Sequence, residues 1–326
     1  MLGAETTARA NINVALVKYW GKRDSVLNLP ATGSISITLD GLWTESTVAF
    51  GGGEADLVEI DGATAAGEEA ERVARFLDLV RTESGRRERA RVRTRSSVPR
   101  GVGLASSASA FASLAVAASR AAGLDLAAPA LSALARRGSG SAARSIYGGF
   151  VEWHRGERPD GADSIAEPLA APADWDVRVV VAVTSAAPKT VSSRDGMARA
   201  AASPLYPAWV AGAEADLAEA RAAIRARDLE ALGLLAEHSA LKMHAIGLAA
   251  RPPLLYWNGA TVECVRRVWA LRSDGTKGFV TIDAGPQVKV LCAPADAAGI
   301  ALALADVPGV ERVLTCAPGA GVEVIA

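Results

Sequence analysis

Cysteine, histidine and charge imbalance are all scarce in this chain. Its 326 residues include three cysteines, Cys264, Cys292 and Cys316, widely separated and without C-x-x-C spacing. An odd, unspaced set fits reduced thiols in the cytoplasm rather than a disulfide framework. The three histidines, His154, His238 and His244, form no H-E-x-x-H pattern, so they read as surface or core residues and no protein metal site is expected. Lys plus Arg number 35 and Asp plus Glu 36, for a formal net charge of -1. That balance argues against nucleic acid as a partner, which usually needs a basic excess. No apolar run is long enough to span a bilayer, and residues 1–9 lack the apolar core of a secretory signal. The expectation is a soluble, cytoplasmic protein with no membrane partner. Half of it is hydrophobic, enough to bury a large core in two domains or one.

Strand and helix patterns interleave along the chain. Strands are predicted over 10–18, 35–40, 45–50, 56–60 and 89–96, with a turn at Gly51-Gly52-Gly53. Val73, Phe76, Leu77 and Val80 mark one face of a helix over 67–82. A second helix runs from Ser106 to Ala122, stopped by Gly123, and a third over 128–137, broken by Gly138-Ser139-Gly140-Ser141. Residues 156–174, rich in Pro, Gly and Asp, read as an exposed loop. The run VRVVVAV at 177–183 is a buried strand, followed by a helical region over 207–250. The remainder reads helix 259–272, strands 278–282 and 287–292, helix 295–306, strands 310–316 and 321–326. This order predicts an α+β sandwich with helices on one side of a sheet, in two domains, 1–185 and 186–326.

The segment Pro99-Arg100-Gly101-Val102-Gly103-Leu104-Ala105-Ser106-Ser107-Ala108-Ser109 carries chemistry. Its glycines let the backbone close around a ligand. Its serines stand at a helix start, where unpaired N–H groups and the positive dipole end attract phosphate. No Gly-Lys-Ser/Thr follows, so it is not a Walker A loop, and G-x-G-x-x-G is absent.

That segment resembles the ATP loop of the GHMP kinase superfamily. Three more segments resemble the signatures of its diphosphomevalonate decarboxylases: Asn13 to Asp24 (NVALVKYWGKRD), Gly138 to Trp153 (GSGSAARSIYGGFVEW) and Thr281 to Pro286 (TIDAGP), in order. The stretch Val191 to Met197 (VSSRDGM) also fits. The resemblance implies a two-domain GHMP-kinase-like fold, with a ribosomal S5 domain 2-like N-terminal half and a ferredoxin-like C-terminal half, in a homodimer. It implies ATP and Mg²⁺ as cofactors. The implied reaction turns 5-diphosphomevalonate into isopentenyl diphosphate, CO₂, ADP and phosphate through phosphorylation of the 3-hydroxyl.

On the same resemblance, Asp283 is the catalytic carboxylate at the 3-hydroxyl. Arg144, whose planar fork suits a carboxylate, binds the substrate C1 carboxylate. The amide of Asn13 holds Arg144 or the substrate, and Lys18 lies near the 3-hydroxyl. Lys18 and Lys22, four apart in an extended segment, are expected to aim one way. Tyr19, Lys22 and Arg194 take the diphosphate, while Ser139, Gly140, Ser141, Ser192 and Met197 complete the substrate contacts. Pro99, Gly101, Gly103, Leu104, Ala105, Ser106, Ser107 and Lys189 are assigned to ATP. Trp20 reads as core. Thr32-Gly33-Ser34, where the family usually has Asn-Ser-Ser, and Gln287, where it usually has Asn, depart from the family's pattern. Competing readings are a mevalonate 3-kinase or phosphomevalonate decarboxylase of the same fold and, in another class, a non-catalytic RNA-binding module.

Overall fold

The computed structural model describes residues 3–51, 53–98, 106–187 and 190–325. The first half runs β1 (Thr6–Val17), β2 (Lys22–Asp24), β3 (Leu29–Pro30), β4 (Ser34–Phe50), β5 (Leu57–Ile60), β6 (Ala63–Thr64) and α1 (Gly67–Ser84). It continues through β7 (Ala90–Ser96), α2 (Ser106–Ala121), α3 (Ala128–Gly138), a 3-10 helix (Gly140–Ile146), β8 (Phe150–Trp153) and β9 (Ala166–Ala170). The second half runs β10 (Arg178–Val183), α4 (Ser193–Ala200), α5 (Tyr206–Ala226), α6 (Leu229–Leu248) and α7 (Gly259–Ser273). It ends with β11 (Gly278–Ile282), β12 (Val288–Cys292), α8 (Ala297–Ala305), β13 (Arg312–Cys316) and β14 (Glu323–Ile325).

These strands form two main sheets. The larger has the order β14-β1-β4-β7-β5-β6, with β8 also on β4 and β9 on β8. The smaller is β11-β12-β10-β13, antiparallel throughout. Helices α1 to α3 cover part of the large sheet, where Phe76, Leu77, Phe111 and Leu134 pack on Ala8, Val48 and Val92. Toward the far end of β1, Val14, Leu16, Ile35 and Ile37 share a second core with Leu217, Leu232 and Leu235 of α5 and α6.

The run at 177–183 shows why the small sheet needs two covers. Side chains alternate along a strand. Val179, Val181 and Val183 face α5, α6 and the large sheet, while Val180 and Ala182 face α7 and α8. The small sheet is thus sandwiched, not covered on one side as expected. Strand β10, placed before the expected boundary at 185, pairs in the small sheet, and β14 returns to β1.

Other elements also differ from expectation. The strands predicted at 35–40 and 45–50 are one long β4. The 156–174 loop contains β9, whose pairing with β8 no apolar alternation announces. The helical stretch at 207–250 breaks where Arg227 takes a left-handed φ of 55 and the Asp228 side chain accepts the Ala231 N–H at 3.0 Å, capping α6.

Candidate active site

Two register shifts, between Asn11 and Asn13 and between Ala15 and Val17, interrupt the pairing of β1 with β4. Bulges of this kind re-aim side chains. Beyond Val17, Gly21 turns the chain with a φ of +105, and a Cβ there would meet the Tyr206 hydroxyl at 2.0 Å. Lys18 and Lys22 therefore do not share one strand face as expected. Lys18 drops into the floor of a cavity of about 510 Å³, and Lys22 stands at its mouth at the start of β2.

The floor is assembled from distant parts of the chain. Asp283 follows the last residue of β11 and is 19% exposed. Lys18 donates to its Oδ1 at 2.7 Å and to the Ala15 carbonyl at 2.8 Å. Lys289, from the middle of β12, pairs with Oδ2 at 3.1 Å. Burial alone would raise the Asp283 pKa, but the two ammonium groups together hold the carboxyl well below the usual range. Burial in turn lowers Lys18 to about 8, against the pull of Asp283. His244 Nε2 donates to the Ile282 carbonyl at 3.4 Å, and burial, with Lys18 nearby, lowers it to about 3, so it is neutral here.

Arg144 lies in the 3-10 helix and is 2% exposed. Its Nε and one terminal nitrogen donate to Asn13 Oδ1 at 3.3 and 3.1 Å, and the other donates to Ser34 Oγ at 2.5 Å. The Asn13 amide nitrogen donates to Ser141 O and Ser145 Oγ, which fixes its orientation. Burial lowers Arg144 to about 10, so it stays charged at neutral pH. Its hydrogen bonds go to neutral acceptors, and Asp283 acts on it only through space, so the guanidinium can still take a carboxylate.

At the mouth, Lys22 donates to Asn28 Oδ1 at 2.6 Å. Burial, with Arg194 and Arg72 close by, lowers it to about 8. Arg72 donates to the Gly138 carbonyl, and burial lowers it to about 10. Arg194 makes a loose 3.4 Å pair with Glu68. The Tyr19 hydroxyl is buried and has no hydrogen-bond partner among the described residues. Gly140 leaves room for that ring, since a Cβ would meet Tyr19 Oη at 2.8 Å and Trp153 at 2.9 Å. Ser139, Gly140, Ser141, Ser192 and Met197 also line the cavity, with Asn13, Lys18, Tyr19, Lys22, Arg144, Arg194 and Asp283. A second cleft of about 700 Å³ continues past Lys22 and Arg194 toward Arg75 and Arg137.

Of the residues assigned to ATP, Pro99, Gly101, Gly103, Leu104, Ala105 and Lys189 lie outside the described residues. Ser106 is the first residue of α2. Ser107 lines the cavity, its hydroxyl 3.4 Å from that of Ser139. Trp20 is buried among Met197, Trp209 and Met243. Gln287 is fully buried and ties the end of β10 to β12 by accepting from the Thr184 N–H at 2.6 Å and donating to Ser185 O at 2.7 Å.

Sequence reasoning missed Arg72 and Lys289 and gave Ser34 no role of its own. The first two left a signal. Arg72 falls four residues before Phe76 on the apolar face of α1, and Lys289 sits between valines in a buried strand. Among the described residues no group of three or more His, Cys, Asp and Glu could hold a metal, and no helix is long and apolar enough to cross a membrane.

A two-sheet α+β fold with a polar cavity that joins a half-buried carboxylate, an arginine fork and a cationic mouth beside the start of α2 is an enzyme of the GHMP-kinase type. Residues 10–166 match the diphosphomevalonate decarboxylase-like N-terminal domain, and residues 179–316 match the mevalonate 5-diphosphate decarboxylase C-terminal domain. The chain belongs to the diphosphomevalonate decarboxylase family. It is 36% identical over 309 residues to the diphosphomevalonate decarboxylase of Bos taurus, covering 87% of this chain and 76% of that one. The crystal structure of mevalonate diphosphate decarboxylase from Staphylococcus aureus superposes with a TM-score of 0.94 at 37% identity, covering 100% of this chain and 99% of that one. A structure described as MDDEF in complex with MVAPP, AMPPCP and magnesium superposes with a TM-score of 0.93 at 37% identity, with the same coverage.

Proposed function

We propose that this enzyme decarboxylates 5-diphosphomevalonate to isopentenyl diphosphate, consuming ATP and releasing CO₂, ADP and phosphate. The observation that carries this reading is the cavity floor, where a half-buried, ionised carboxylate faces the same space as an arginine whose fork, among the described residues, is hydrogen-bonded to neutral side chains. When bound, ATP with Mg²⁺ supplies the phosphoryl group for the 3-hydroxyl. The residues present suit that pair. The start of α2 opens onto the cavity through Ser107, beside the Ser139 hydroxyl, and offers N–H and hydroxyl groups to phosphate. Mg²⁺ commonly relies on phosphate oxygens and water more than on protein ligands.

Asp283 accepts a hydrogen bond from the substrate 3-hydroxyl and aims its oxygen lone pair, and Lys18 steadies the developing negative charge there. Arg144 grips the C1 carboxylate and holds it in the geometry from which CO₂ departs. Tyr19, Lys22, Arg194 and, from the structure, Arg72 receive the diphosphate. Ser139, Gly140, Ser141, Ser192 and Met197 close the cavity around the substrate. We place the domain boundary between β9 and β10, following the sheets, and propose a cytoplasmic homodimer. Turnover of mevalonate, its 5-phosphate and its 5-diphosphate, followed by release of ADP and CO₂, tests the assignment. A better rate with either of the first two overturns it.

A further inference from the structure

Lys289 is the unexpected member of the floor. It lies mid-strand in β12, opposite Thr281 of β11 and Val181 of β10, and is 1% exposed. Its strand neighbours Val288 and Val290 pack against α7 and α8, so Lys289 points the other way, toward the large sheet. It is absent from the cavity lining that includes Lys18 and Asp283. A buried lysine is costly unless paired. An apolar residue would serve packing at that position at lower cost. One lysine, Lys18, already neutralises Asp283. The second leaves the floor with surplus positive charge and gives each carboxylate oxygen its own cation.

We propose that Lys289 is a positioning residue for the reaction: by holding Oδ2 from behind while Lys18 holds Oδ1, it fixes the plane of the Asp283 carboxylate and keeps it an ionised acceptor. This rests on the assignment of Asp283 as the catalytic carboxylate. Four groups face Asp283. They are Lys18 at the end of β1, Lys289 of β12, Arg144 of the 3-10 helix and His244 of α6. His244 is neutral across the working range and Arg144 is charged, so Lys18 and Asp283 set the response to pH.

Lys289 lowers the Lys18 pKa and, with Lys18, lowers that of Asp283. Its removal must therefore raise both. In Lys289→Met we expect kcat to fall about tenfold or more, with the KM values for both substrates within about threefold of wild type. The alkaline limb of the kcat–pH profile, where Lys18 loses its proton, should move to higher pH by about half a unit or more. A merely loosened fold would lower kcat without moving that limb. Lys289→Arg should restore part of the rate. In an Asp283→Asn background, where the carboxylate is gone, Lys289→Met should lower single-turnover rates no further. If Lys289→Met does not fold by circular dichroism, Lys289→Gln replaces it in every arm. Wild-type kcat and alkaline limb in the folded variant, or an equal loss in both backgrounds, overturn the positioning role alone. Wild-type turnover in Asp283→Asn overturns the catalytic assignment on which it rests.

Discussion

The floor and the mouth of the cavity hold similar charges in different states. At the floor, Lys18, Lys289 and Arg144 surround Asp283, and the three cations are 1 to 2% exposed. At the mouth, Lys22, Arg72 and Arg194 stand together with Glu68 beside the two arginines; Arg194 is 52% and Glu68 81% exposed and they pair at only 3.4 Å. The floor cations are buried and held from several elements. At the mouth the Arg194–Glu68 pair is open to solvent, which screens it. A preorganised floor acts on the transition state, because its dipoles need no rearrangement when charge develops. A wet, cationic mouth acts mainly on binding. The two regions should therefore separate in kinetics, kcat following the floor and KM the mouth.

The sharpest break of that division is Asp283→Asn. It keeps the shape and removes the charge, leaving Lys18 and Lys289 facing a neutral amide. We expect kcat to fall by about 10³-fold, with nucleotide binding unchanged in a fluorescence titration. Activity near wild type would place the chemistry elsewhere. Next in size is Arg144→Lys. A single ammonium cannot reproduce a fork that spans Asn13 and Ser34, so CO₂ release should drop by about 10²-fold. An unchanged rate would mean that the fork does not hold the C1 carboxylate.

These floor residues were legible because each sits within a short sequence signature, while their convergence was not. Asp283 and Lys18 are 265 positions apart, and their meeting depends on β11 and the end of β1 being brought together by two sheets. Most strands of the two main sheets were readable from apolar periodicity, but β6, β8 and β9 were not. Nor was the pairing, as β9 shows: Ala166–Ala170 has little apolar pattern and becomes a strand only because β8 offers it an edge. Arg72 and Lys289 were hidden for the opposite reason. Each is a charged residue on a face that periodicity assigns to the core, and only the surrounding charges reveal why burial is tolerated.

The mouth yields smaller effects and a pH signature. Lys22→Ala should raise the KM for the diphosphate substrate by about tenfold while changing kcat less than about threefold. Because burial and two neighbouring arginines lower Lys22 to about 8, its amine is protonated below that value and loses its charge above it. Substrate affinity should therefore weaken as pH rises through about 8. Lys22→Arg should remove that alkaline weakening, since a guanidinium keeps its charge. An alkaline fall in affinity that is identical in Lys22→Arg would assign the titration to another group.

The smallest change tests whether the mouth is as loose as it looks. Glu68 stands in the first turn of α1, and its carboxylate competes with an incoming diphosphate for Arg194 across the gap to α4. So exposed a pair contributes under about 1 kcal/mol to folding. Glu68→Gln should leave the melting temperature nearly unchanged. It should lower the KM for 5-diphosphomevalonate by about two- to threefold at low salt, and the gain should fade at high salt as the charges are screened. If KM rises instead, Glu68 holds Arg194 ready for the ligand rather than competing with it. The mouth would then be preorganised like the floor, and the division between kcat and KM would have to be drawn inside the mouth.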